Sequence, residues 1–324
     1  MFEANRLFAL SLCLLLGSCK DDAIIKRTQP LPRINAPTDL WKEFSGEKAF
    51  EHVRTQVAIG PRPSGSAAIE KARIHISDTL RATGWQVERQ EFEETPVPGK
   101  GALKFVNLVA RFSSTAVQPV PSNTQRVIVC SHYDTKRMSG ISFVGANDGA
   151  SSTGALLELA RVLSTAPQFA EHLELVFFDG EEAVEKFSEP LEGPDGLVGS
   201  RYYARTLRDS GRAKQFQFAI LWDMIGDKNL NVTLPNDTPH QLSTALFAAS
   251  EKLGTHKHIG NYSDPILDDH VPLQIIARIP SMDIIDFDYT PWHTGGDTLD
   301  KLSSDSLRII GQLTLLMLTQ ELGK

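Results

Sequence analysis

Hydrophobic and polar positions change their period several times along this chain, and each change predicts an element. Over 47–58 the apolar residues Ala49, Phe50, Val53 and Val57 fall at helical spacing, and Gly60-Pro61-Arg62-Pro63-Ser64-Gly65 stops the pattern. A second amphipathic helix is predicted over 67–82, with Ile69, Ala72, Ile74, Ile76 and Leu80 as its apolar positions. Residues 85–93 and 103–111 alternate as a pair of strands, whereas 126–130 and 173–178 are continuous apolar runs, as expected of strands covered on both faces. Further central strands fit 216–225 and 279–287, and further helices fit 199–209, 240–253 and 303–321. Thr153 is positioned to cap a helix that runs to Leu163. Strands alternating with helices predict an α/β three-layer sandwich: a central mixed, mostly parallel sheet with helices on both faces.

The first residues follow a different pattern. Arg6 precedes the apolar run from Leu7 to Leu16, which is too short to span a bilayer but suits the core of a signal peptide. Leu16-Gly17-Ser18-Cys19 is similar to a bacterial lipobox, so residues 1–18 are expected to be a lipoprotein signal peptide and Cys19 the lipid-modified first residue of the mature chain. Pro30, Pro32 and Pro37 then make 19–44 a tether, leaving 45–324 as a single catalytic domain with no internal linker. A periplasmic location in the bacterial envelope follows. Lys20, where an aspartate often marks inner-membrane retention, points to the outer membrane. With the leader lost and Cys19 lipid-modified, Cys130 is the one cysteine left with a free thiol, so no intramolecular disulfide is expected.

Composition narrows the class. A hydrophobic content of 41% and charged content of 23% fit a globular enzyme, and a net charge of −7 argues against a nucleic-acid partner. No exposed apolar repeat suggests an interface, which makes a monomer the expectation.

Chemistry gathers where strands end. The run Leu173 to Phe178 gives way to Asp179-Gly180-Glu181-Glu182, and packing like charges at a strand end costs free energy unless a cation or a catalytic task compensates. Two adjacent glutamates can divide that work, one ligating a metal and the other moving protons. The other strand ends carry His132 and Asp134, Asp223, and His293 with Asp297, while Asn147-Asp148-Gly149 follows the first of them. Ligands of open α/β sheets bind beyond the carboxyl ends of the strands. Carboxylate oxygen with imidazole nitrogen is the donor set of a catalytic zinc.

In their order, His132-Tyr133-Asp134, Asn147-Asp148-Gly149-Ala150, Glu181-Glu182, Asp223-Met224-Ile225-Gly226 and His293-Thr294 with Asp297-Thr298 resemble the motifs of the zinc-dependent aminopeptidase family, over most of 45–320. Within it, Trp292 before His293, Leu267-Asp268-Asp269-His270-Val271-Pro272 and Ser131-His132-Tyr133-Asp134-Thr135-Lys136 resemble the animal-type and bacterial glutaminyl cyclases. That resemblance implies an acyltransferase that turns the N-terminal glutamine of peptides or proteins into pyroglutamate and releases ammonia. It implies one zinc on Asp148, Glu182 and His293, with Glu181 as general acid/base and Asp223 and Asp268 as an acid network around the substrate amide. Trp292, Phe187 and Leu267 would line the substrate pocket. Many cyclases carry a tryptophan where this chain has Phe187, and Phe287 and Tyr289 both qualify as the aromatic residue upstream of Trp292. The alternative within the family is a di-zinc aminopeptidase, in which His132 and Asp223 complete a second metal site bridged by Asp148.

Overall fold

The computed structural model describes residues 37–113, 125–187 and 193–322, with the side chains of 321 and 322 excepted. The expected signal peptide, the lipid-bearing Cys19 and the tether up to residue 36 lie outside the described residues. Among the described residues, no helix is long and apolar enough to cross a membrane.

The strands are β1 (Trp85–Glu94), β2 (Leu103–Phe112), β3 (Arg126–His132), β4 (Leu173–Phe178), β5 (Phe216–Asp223), β6 (Val232–Leu234), β7 (Ile259–Asn261) and β8 (Ser281–Ile285). The helices are α1 (Gly46–Ile59), α2 (Ala67–Ala82), α3 (Ala150–Ser164), α4 (Pro167–Ala170), α5 (Val198–Asp209), α6 (His240–Leu253), α7 (His270–Ile275) and α8 (Ser304–Leu322). Six strands form one sheet in the order β1-β2-β4-β3-β5-β8, while β6 and β7 pair separately. The four strands β4, β3, β5 and β8 run parallel, and β1 and β2 are antiparallel to their neighbours. The mixed, mostly parallel α/β sheet expected from the sequence is therefore present.

Period-two alternation explains why the central runs are almost wholly apolar, with the buried Glu174 of β4 paired to Arg111 and Arg212 as the exception. Val127 and Val129 of β3 join the larger core with α1, α2, α3, α6 and α8, whereas Ile128 and Cys130 join a second core with α5. Both faces exclude water, so no position along β3 or β4 favours a polar side chain on packing grounds. Cys130 is buried and unpaired.

Three local expectations are corrected. Leu40 and Phe44 are buried at 5% and 2% exposure, so the folded domain begins before residue 45. The Phe44 ring packs against α8 at Gly311, where a Cβ would come within 2.2 Å of it. Burying an aromatic side chain of that size contributes about 2–3 kcal/mol, enough to hold the segment down. Thr153 caps nothing: α3 starts at Ala150 behind Gly149, and the Thr153 hydroxyl donates instead to the His132 carbonyl at 2.8 Å. The strands expected over 216–225 and 279–287 are shorter, since the left-handed Met224 (φ 47°) turns the chain out of β5. The short helix α7 and the pair β6–β7 carry too few residues to establish a period, and the sequence pattern did not reveal them.

Candidate active site

Parallel register brings the functional strand ends to one edge. His132 pairs with Phe178 and Asp223 with Ile285, so the loops that follow β3, β4, β5 and β8 all leave the sheet on the same side. Of the three acids after β4, Asp179 turns away from that side. It accepts from Ser64 at 2.6 Å, from the Arg73 guanidinium at 2.5 Å and from the Val106 amide at 2.8 Å, a satisfied buried ion pair that anchors α2 to the sheet. Gly180 (φ +75°) then reverses the chain in a space where a Cβ would lie 2.6 Å from Phe105. Glu181 and Glu182 are thereby delivered to the site.

Two buried carboxylates hold the loops. Asp134 accepts from the backbone amides of Glu181 (3.2 Å) and Glu182 (3.3 Å). Asp297 accepts from those of Asn147 (2.8 Å) and Asp148 (3.2 Å), and from the Tyr289 hydroxyl at 2.8 Å. The His293 loop is thus tied to the Asp148 loop through one side chain. His293 itself has a left-handed backbone (φ 51°), an uncommon conformation for a residue with a Cβ, held here by the loop around it.

The ligand atoms converge in two groups, Asp148–Glu182–His293 and His132–Asp148–Asp223, each with its atoms within 4.8 Å of one another. His293 Nε2 lies 3.0 Å from Glu182 Oε1 and 3.4 Å from Asp148 Oδ2. His132 Nε2 lies 3.2 Å from Asp148 Oδ1 and 3.1 Å from Asp223 Oδ1. Asp148 therefore directs one oxygen to each group, and its Oδ2 is buried without a hydrogen-bond partner. That orphaned oxygen, between an imidazole and a second carboxylate, is the kind of donor a divalent cation satisfies, and three protein donors of N and O type fit a catalytic zinc.

Charge in the site is crowded. Burial works against the charged form of His293, but the Asp148 and Glu182 carboxylates outweigh it and raise the imidazole to about 9. Burial pushes Glu181 well above the usual carboxylate range, with Glu182, Asp268 and Asp269 adding to the rise and His132 opposing it. Asp268 is pushed up to about 7, by burial first and by the neighbouring Asp223 second. Lys136 donates to Glu182 Oε2 at 3.0 Å from behind the site.

A cavity of about 360 Å³ opens onto these groups. Asp148, Glu181, Glu182, Asp223, Asp268 and His293 all line it, as do Trp292, Phe187 and Leu267. Every residue to which the resemblance assigned a metal, catalytic or pocket role is on its wall except His132, which sits beneath Asp148 and Asp223. Trp292 stacks on the His293 ring at 4.2 Å, and Phe287 packs against Trp292 at 5.4 Å. Between the two upstream aromatics the structure selects Phe287: it lines the cavity, while Tyr289 is buried with its hydroxyl on Asp297. Sequence reasoning missed Tyr262, Asp264 and Ile266, which also line the cavity. Their proximity to the Asp268 motif is the one signal that could have found them.

The chain is similar to known proteins over most of its length. Residues 107–318 match the model of Peptidase family M28. A glutaminyl-peptide cyclotransferase of Drosophila melanogaster is 27% identical, over 92% of this chain and 89% of that protein. The crystal structure of an Acidobacteriales bacterium glutaminyl cyclase superposes with a TM-score of 0.76 at 33% identity, covering 90% of this chain and 98% of that one. A Zn-dependent exopeptidase from Parabacteroides distasonis superposes with a TM-score of 0.73 at 26% identity, covering 85% and 98%.

Proposed function

This chain belongs to Peptidase family M28, on its glutaminyl cyclase branch, and from that premise we propose that it converts the N-terminal glutamine of peptides and proteins to pyroglutamate with release of ammonia. The observation that carries this reading is Glu181, a buried carboxylate on the cavity wall directly beside the Asp148–Glu182–His293 group and outside it.

The reaction joins the substrate's α-nitrogen to its own γ-amide carbon and breaks the bond from that carbon to the amide nitrogen. Closing a five-membered ring makes proximity largely the substrate's own contribution. Asp148, Glu182 and His293 would hold a zinc ion, whose chemistry when bound would be Lewis-acid polarisation of the amide carbonyl. Glu181 takes a proton from the α-amine as the new bond forms and gives it to the departing nitrogen as the old bond breaks, so that ammonia leaves neutral. Burial first, and the neighbouring Glu182, raise its proton affinity, which suits a group that takes up a proton and then returns it. Asp223 and Asp268 surround the substrate amide with acceptors, and Trp292, Phe187 and Leu267 form apolar walls that exclude competing water.

A second reading, a di-zinc aminopeptidase, is favoured by the His132–Asp148–Asp223 group, which shares Asp148 with the first. Mass spectrometry separates the two. Incubation with a Gln-initiated peptide is expected to give loss of ammonia with the chain length unchanged, and a Leu-initiated peptide is expected to stay intact. Trimming of the Leu-peptide without cyclisation of the Gln-peptide would replace the cyclase reading with the peptidase. Elemental analysis is expected to give one zinc per chain, against two for a peptidase.

We further propose, from Leu16-Gly17-Ser18-Cys19 alone, that the enzyme is anchored in the bacterial cell envelope through lipid on Cys19. Acyl chains supply the hydrophobic attachment. The Cys19→Ser variant is therefore expected in the soluble fraction after a carbonate wash, and its continued sedimentation with membranes would remove the anchor from the account.

A further inference from the structure

The cavity wall divides by chemistry with depth. Asp148, Glu181, Glu182, Asp223 and Asp268 are buried at its inner end. Towards solvent the wall becomes aromatic. Trp292 is 40% exposed, Phe287 packs on it at 5.4 Å, and Tyr262 lies against Phe287 at 6.1 Å. Two residues beyond Tyr262 stands Asp264, exposed, on the wall of the same cavity. Its carboxylate accepts from the neighbouring Ser263 hydroxyl at 2.7 Å and lies in no ion pair among the described residues. Among the described residues, no lysine or arginine lines the cavity.

We propose that Asp264 and the aromatic strip Trp292–Phe287–Tyr262 select substrates with a lysine or arginine shortly after the N-terminal glutamine, and disfavour those with an acidic residue there. The inference rests on the cyclase reading and adds a substrate class to it. The glutamine side chain occupies the inner end, so the residues that follow it must leave through the mouth, past the aromatic strip. A cationic side chain gains there from ring faces and from the carboxylate together. An acidic side chain meets a like charge at the mouth, and His293, the basic group among the described wall residues, sits at the inner end with Asp148 and Glu182. The inner acids do not provide this discrimination, because they are buried around the glutamine and the metal donors. Among the described wall residues, Asp264 is the exposed acidic one.

The test compares kcat/KM for three peptide amides that differ at the second residue, Gln-Lys, Gln-Ala and Gln-Glu, at low ionic strength. The parent is expected to prefer Gln-Lys over Gln-Glu by about tenfold, the sum of a surface attraction and a surface repulsion, with Gln-Ala between them. Raising the salt to about 0.5 M should shrink that ratio through screening. Asp264→Asn should bring it to about twofold, the remainder belonging to the rings, and Asp264→Lys should invert it. The position is exposed, so neither variant threatens folding. Equal rates for all three peptides in the parent, or an unchanged ratio in Asp264→Asn, would overturn the assignment of Asp264 while leaving the cyclase intact. A parent that cyclises none of the three overturns the cyclase reading and the substrate preference with it.

Discussion

Replacing Glu181 by glutamine is expected to leave a folded protein that retains zinc and binds Gln-initiated peptides, while turnover falls by about 10²–10⁴-fold, the usual contribution of a positioned proton-transfer group. Glutamine has the same shape and keeps the hydrogen-bonding capacity of the side chain. The loop is fixed by the backbone, through the Glu181 amide on Asp134 at 3.2 Å, and the substitution does not disturb that bond. Burial, Glu182 and Asp268 already push this carboxylate towards its neutral form against the opposing pull of His132, so a neutral amide suits the folded site. What glutamine cannot do is hold a proton and return it. Steady-state kinetics, zinc content and thermal unfolding of the variant measured side by side check the three parts separately. Near-normal turnover would remove Glu181 from the proton transfer without touching the rest of the site.

The second large effect is expected at the metal. His293→Ala should lose stoichiometric zinc and, with it, activity. His293 Nε2 is the nitrogen donor of its group, 3.0 Å from Glu182 and 3.4 Å from Asp148, and alanine leaves two carboxylates to hold the ion alone. Changes to groups that merely support a ligand cost about 10–100-fold in metal affinity, so loss of a ligand should exceed that. A linked consequence separates metal loss from misfolding. An ion that binds only the folded protein stabilises it by about 2.7 kcal/mol at one hundred times its dissociation constant, so the parent's melting temperature should rise with added zinc. The variant should melt near the metal-free parent and show no such rise. Zinc retained at one per chain after dialysis against a chelator would take His293 out of the ligand set.

Much of this site is legible in the sequence because buried parallel strands leave a strong sequence record. A strand covered on both faces must be apolar throughout, so an abrupt run of acids or a histidine at its end stands out, as at Phe178-Asp179-Gly180-Glu181-Glu182 and Trp222-Asp223. The order of those ends carried the family resemblance. Phe187 and Leu267 were anticipated by the same route and do line the cavity.

What the sequence determined by itself was the class of fold, the edge of the sheet that carries chemistry, and the donor types available there, because hydrophobic period reports local burial and residue type reports local chemistry. Only the tertiary structure decided how those donors are shared. It turned Asp179 into an anchor for Arg73 and left Glu181 and Glu182 for the site. It gave one oxygen of Asp148 to each ligand group, and it chose Phe287 over Tyr289 beside Trp292. It also drew Leu40 and Phe44 into a core that local sequence had assigned to a tether. Each of these choices depends on contacts between residues far apart in the chain, through strand register, left-handed turns such as those at Met224 and His293, and space left by Gly311. Such contacts leave no periodic trace in the segment that makes them, which is why local pattern identifies the groups and packing alone assigns their partners.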